Sequence, residues 1–93
     1  MKIAIVNLDL TSQTGAPRFT FMSAKALMKL GHKSEIITPK FDEKCFPDLV
    51  KGLDIRVVPY GEIARSLGPD IDILNCQDGH SYRVGFFYKK INP

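Results

Sequence analysis

The sequence predicts a doubly wound α/β domain built on a parallel four-stranded sheet. Two observations carry this. Lys2-Ile3-Ala4-Ile5-Val6-Asn7 is a short apolar run with no clean alternation, the pattern of a central parallel strand buried on both faces. Three further strand-like runs follow, separated by helical segments. Strands alternating with helices imply parallel pairing through right-handed crossovers.

After the first strand comes a polar turn, Leu8 to Ala16, holding Thr11, Ser12, Gln13, Thr14 and Gly15. Ala16 precedes a proline, which biases it away from the α region. Pro17 suits the first position of a helix, where no N–H is needed. The helix is expected from Pro17 to Leu30. Met22, Ala26, Leu27 and Leu30, flanked by Phe19 and Ala24, form its expected apolar stripe, with Lys25 and Lys29 outward. Gly31 is the expected left-handed cap.

The second strand is expected over Lys33 to Thr38, centred on Ile36 and Ile37 and ended by Pro39. A long connection, Phe41 to Gly52, carries a short helix at Pro47-Asp48-Leu49-Val50. Asp54 to Tyr60 is the third strand. Glu62 to Leu67 supplies a helical turn or two before Gly68-Pro69. Ile71 to Cys76 is the fourth strand, Gln77-Asp78-Gly79-His80 its exit loop, and Ser81 to Ile91 the last helix, with Val84, Phe87, Tyr88 and Ile91 on one stripe. The result is one domain over residues 1–93, a partial Rossmann-like three-layer fold with strand order 3-2-1-4. Doubly wound sheets usually continue past four strands. The chain therefore reads as the N-terminal part of a larger domain, with a fourth strand that suits an interior position but forms an edge here.

Composition removes several classes. A 93-residue chain with 44% hydrophobic residues is a small globular unit. No apolar run approaches the ~18 residues of a membrane span, and the N-terminus lacks the features of a secretion signal. The net charge of +3 is mild and its basic residues are scattered apart from Lys89-Lys90, so no nucleic-acid stripe is present. Cys45 and Cys76 are isolated, without metal-ligand spacing, and suit a reducing cytoplasm. Both are expected as free thiols. No metal or other cofactor is expected.

Ligands of open α/β sheets sit outside the carboxyl ends of the strands. At that edge lie the Gly15–Arg18 turn and the Asp78-Gly79-His80 loop. Gly15 is either a close-approach point for phosphate or an ordinary turn glycine. Arg18 can pair with phosphate or remain a solvated arginine. His80 fits an acid/base or acceptor-contact role, or a loop cluster capping the last helix through Asp78 or Ser81. His32 falls at the opposite edge and reads as structural or exposed. Cys76 reads as a small buried hydrophobe. No base–nucleophile–orienter set can be assembled, so no catalytic residue is assigned. A G-x-G-x-x-G fingerprint is missing, since only Gly15 occupies the turn. A receiver-like acidic pair is missing too; Asp9 and Asp78 meet that pattern only loosely.

One combination of segments is more specific. Met1-Lys2-Ile3-Ala4-Ile5-Val6, the Gly15-Ala16-x-Arg18 turn, Ala24-Lys25-Ala26-Leu27 with Leu30-Gly31-His32, and Asp70-Ile71-Asp72-Ile73-Leu74-Asn75 together resemble the N-terminal domain of group 1, family 4 glycosyltransferases of the GT-B type. The resemblance spans essentially all 93 residues. It implies an acceptor-side domain of a retaining, metal-independent hexosyltransferase that moves a sugar from a nucleotide-sugar to a glycan or lipid acceptor. It places the turn after the first strand, with Gly15, Ala16 and Arg18, under the donor phosphates; the Asp78, Gly79 and His80 loop joins them as expected substrate-binding residues by its place at the same sheet edge.

The turn departs from the family's Gly-Gly-x-Glu pattern, with Thr14-Gly15-Ala16-Pro17 in its place, and Pro17 removes one backbone donor. The family's paired glutamates belong to a donor domain outside these residues, so this chain alone is expected to be inactive. The implied partners are the nucleotide-sugar and acceptor of the parent enzyme and a cytoplasmic membrane surface; separately, the exposed apolar edge of the fourth strand leads us to expect self-association. The competing reading is a non-catalytic flavodoxin-like module that binds a phosphate-bearing ligand or a protein.

Overall fold

The computed structural model describes residues 1–12, 15–77 and 81–92. Four strands form one parallel sheet: β1 Lys2–Val6, β2 Lys33–Thr38, β3 Ile55–Val57 and β4 Ile73–Cys76, in the order β3-β2-β1-β4. Ile5 stands between Ile36 of β2 and Asn75 of β4. β1 is thus central. Alternation along it sends Ile3 and Ile5 to one face and Ala4 and Val6 to the other.

Each face carries its own helical layer. Ile3, Ile5 and Ile36 pack with Phe21 and Ala24 of α1 (Gly15–Lys29), while Leu49 and Val50 of α2 (Pro47–Val50) close the side. On the other face Ala4, Val6 and Ile37 meet Ile63 of α3 (Ile63–Ser66), Leu67, and Val84 of α4 (Tyr82–Ile91). Covering both faces explains the continuous apolar run of β1. The three-layer Rossmann-like architecture and its 3-2-1-4 order agree with the sequence reading.

Several boundaries shift. Helix α1 begins at Gly15, two residues before Pro17. Proline is tolerated in a first turn because its N–H would lack an intrahelical partner anyway, and that allowance outweighs the bias on Ala16. β3 and β4 are shorter than their apolar runs. Pairing nevertheless continues past the strand ends through Asp72 N to Lys2 O at 2.9 Å and Val58 N to Thr38 O at 3.0 Å.

The buried stripe of α1 differs from the expected one. It runs Pro17, Thr20, Phe21, Ala24 and half-buried Leu27. Met22 is half-exposed, Ala26 is exposed, and Phe19 and Leu30 are 60% and 73% exposed. Thr20 reads as polar in the sequence, which breaks the true stripe and shifts its apparent phase. Lys25 is half-buried, and its Nζ donates to the Asp48 carbonyl, tying α1 to α2. The end of α1 follows expectation. Gly31 adopts φ +87°, His32 N donates to Leu27 O and Gly31 N to Met28 O, the paired bonds of a Schellman cap.

Two further details complete the frame. Phe46 sits at φ +54°, directly before Pro47, and rests edge-on against Phe21 at 6.4 Å. On α4, Val84 is buried and Tyr88 half-buried, whereas Phe87 and Ile91 of the expected stripe are about half-exposed. Among the described residues no helix is long and apolar enough to cross a membrane.

Candidate functional site at the β1–α1 corner

Order 3-2-1-4 means the chain winds outward from β1 to β3 and then returns to the far side of β1. The reversal falls between β1 and β4 at their carboxyl ends, the topological switch point where open sheets hold ligands. Helix α1 begins beside it. Gly15, Ala16 and Arg18 are exposed on its first turn while Pro17 is buried beneath them. The structure therefore brings three of the sequence-selected residues onto one open turn. Asp78, Gly79 and His80 lie outside the described residues, as does Thr14.

The φ of Gly15 is not positive, and a Cβ built on it would meet nothing within 4 Å among the described residues. Among those residues the position faces open space. The first-turn N–H groups that remain after Pro17, with the helix dipole behind them, favour an anion.

The floor of this corner is a polar network that the sequence reading left out. Asn7, only 2% exposed, follows β1, and its Nδ2 donates to Thr20 Oγ1 at 3.0 Å. Its Oδ1 accepts from Asp9 N at 3.3 Å. Asp9 in turn accepts from the Thr11 hydroxyl and from Thr11 N. The Thr11 hydroxyl, then its amide, hold the Asp9 carboxyl below its ordinary pKa, assisted by Lys40. A depressed carboxylate pKa contributes stability above the unfolded value and loses it as pH falls through the folded one. The Asp9–Thr11 turn is therefore intact at neutral pH.

The next turns of the loop are fixed from the β2 side. Leu10 is fully buried and bridges to Phe41, with Leu10 N donating to Lys40 O at 2.8 Å. The Cys45 thiol donates to Ser12 O at 2.9 Å, and burial, then Asp42 and Asp9, push its pKa up. Cys45 is thus a protonated structural thiol. The available sequence signal was a polar residue, Asn7, closing an apolar strand, and a threonine on the helix that follows.

We expect Asn7→Ala to cost about 1–3 kcal/mol, because Thr20 keeps a buried hydroxyl without its donor. Urea denaturation of Asn7→Ala, Thr20→Ala and the double variant measures the coupling, and additive losses would show that the two side chains act independently.

Other sequence candidates fall elsewhere. His32 lies at the opposite edge, its Nδ1 3.4 Å from the N-terminal amine. A cavity of about 420 Å³ opens there among Lys2, His32, Glu35 and Asp54, on the far side from the switch point. Asp70 and Asp72, part of the resemblance, serve structure. Lys2 Nζ pairs with Asp70 at 3.1 Å, and Lys2 N donates to Asp72 Oδ2 at 2.7 Å, pinning the start of β4 to β1. Cys76 is half-buried at the end of β4. Among the described residues no group of three or more metal-ligating side chains gathers.

No family model, curated protein or solved structure matches this chain.

Proposed function

We propose that the chain is the acceptor-side part of a retaining GT-B-type glycosyltransferase and that its β1–α1 corner lies against the phosphates of the nucleotide-sugar. One observation carries the reading: the switch point between β1 and β4 is flanked by an open first turn of α1, on which Gly15, Ala16 and Arg18 are all exposed. The resemblance of the segments to that family supplies the reaction class. These residues contribute binding. Retaining transfer needs donor and acceptor oriented together in a closed site, so the second half of such a site would come from a donor-binding domain.

The test is a titration with phosphate and with a nucleoside diphosphate, followed by amide NMR shifts. Binding is expected on the order of millimolar, about 4 kcal/mol. Shifts should centre on Gly15 and Ala16 and shrink in Arg18→Ala. Gly15→Ala discriminates further. It creates no clash among the described residues and restricts the unfolded backbone, so it should fold at least as stably while binding less. Equal response to phosphate and to the nucleoside diphosphate would favour a non-catalytic phosphate-binding module. Shifts scattered over the lysine-bearing surface would reject both readings.

A further inference from the structure

Helix α4 lies on the opposite helical layer from α1 and shares no residue with the β1–α1 corner. Its exposed side chains are of two kinds. Tyr82, Phe86, Phe87 and Ile91 are 50–60% exposed. Arg83, Lys89 and Lys90 stand exposed among them. The helix carries no acidic residue. A solvated helix face ordinarily shows charged and polar residues in place of large apolar ones, so this face is suited to a surface other than water.

The two kinds are interleaved. Lys90 Nζ lies 4.7 Å from the Phe86 ring centre, and the Arg83 guanidinium 5.9 Å from that of Tyr82. Phe86 meets Phe87 edge-on at 5.8 Å. Each of these cations therefore has a ring beside it. Two acids border this layer. Glu62 shares a hollow with Arg65 and Ser66, and the Asp72 carboxylate accepts from Lys2 N. Neither forms an ion pair with Arg83, Lys89 or Lys90 among the described residues. The face keeps its positive charge.

This mixture selects the occupant. The buried centre of a protein interface is depleted of charge, lysine included, and a protein laid on Phe86 would have to bury the Lys90 ammonium beside it. A nucleic acid would take the three cations but leave Ile91 in water. The boundary of a bilayer accepts both kinds at once. Rings enter at the level of the headgroups, while lysine and arginine keep their charged heads among the lipid phosphates and lay their stems along the apolar layer. Anionic lipid attracts such a basic cluster. We infer that the outer face of α4 docks on an anionic bilayer surface, with Phe86 and Phe87 in the headgroup boundary and Arg83, Lys89 and Lys90 on lipid phosphates.

The full chain is sedimented with vesicles of phosphatidylglycerol and of phosphatidylcholine, and the bound fraction is followed against lipid concentration. Binding to phosphatidylglycerol should saturate and exceed that to phosphatidylcholine at least tenfold. Lys89→Gln/Lys90→Gln and Phe86→Gln/Phe87→Gln alter exposed side chains, and their thermal unfolding serves as the folding control. Each should weaken phosphatidylglycerol binding at least tenfold. The chain has no tryptophan, so Phe86→Trp reports directly on the face. Its emission should shift to the blue on phosphatidylglycerol, while that of Phe19→Trp on α1 should not. Equal binding to both lipids, an unchanged Phe86→Gln/Phe87→Gln variant, or a blue shift in Phe19→Trp alone would overturn the site. Absence of vesicle binding would overturn it too. An oligomer that Phe86→Gln/Phe87→Gln dissolves would then give the face to a second copy, and saturable binding of a thymidine oligonucleotide would give it to nucleic acid.

Discussion

Replacing Phe21 with alanine should lower the stability of the domain by about 3–5 kcal/mol. Phe21 is fully buried at the centre of the α1 layer, against Ile3, Ile5 and Ile36. It also receives two aromatic edges, Phe41 and Phe46, each with ring centres 6.4 Å away. Such pairs add about 0.5–1.5 kcal/mol each beyond area burial. Phe46 holds a left-handed backbone with a bulky side chain, a conformation that costs about 1–3 kcal/mol and depends on its surroundings. Truncating Phe21 thus opens a cavity and removes the contact that keeps Phe46 in place. A small domain has roughly 5–15 kcal/mol in total, so the loss should shift urea unfolding strongly. Phe19→Ala is the control. Phe19 is 60% exposed, and its truncation should change stability by about 0.5 kcal/mol or less. Equal losses in the two variants would show that α1 docks through the other face.

That pair of variants also marks where the sequence was legible. The first strand, its central place and the strand order followed from physics that acts on every residue of a segment: apolar runs need cover on both faces, and helix-linked strands pair in parallel. The glycine cap at Gly31 followed from local backbone chemistry. The face of α1 did not follow, because its decisive contact is polar. Thr20 belongs to the buried stripe only because Asn7, thirteen residues earlier, supplies its hydrogen bond. No count of apolar residues along the helix reveals that partner. The candidate corner divides the same way. Glycine, proline and arginine at a helix start are visible in sequence. The Asn7–Thr20 floor and the Cys45 clamp on Ser12 join residues that only the folded chain brings together.

The outer edge of β4 leads to the second large effect. β4 is last in the sheet order and pairs with β1 alone among the described residues. Ile73 and Asn75 share the Ile3 and Ile5 side of the sheet but lie outside the cluster that α1 and α2 cover. Ile73 is accordingly 43% exposed. A hollow of about 460 Å³ adjoins the other side of the strand, among Ile71, Leu74, Phe86 and Tyr88. An apolar strand edge templates pairing with another chain, and two copies of one edge satisfy each other by antiparallel pairing about a two-fold axis. We therefore expect a dimer joined through β4, with the basic outer face of α4 turned away from the contact. Light scattering after size exclusion should give twice the monomer mass at high protein concentration. Ile73→Lys places a charge on the edge at an exposed position, so the fold should survive while the dimer weakens at least tenfold, about 1.4 kcal/mol or more. A wild-type chain that stays monomeric at millimolar concentration, or an Ile73→Lys variant that dimerises equally well, would reject the pairing.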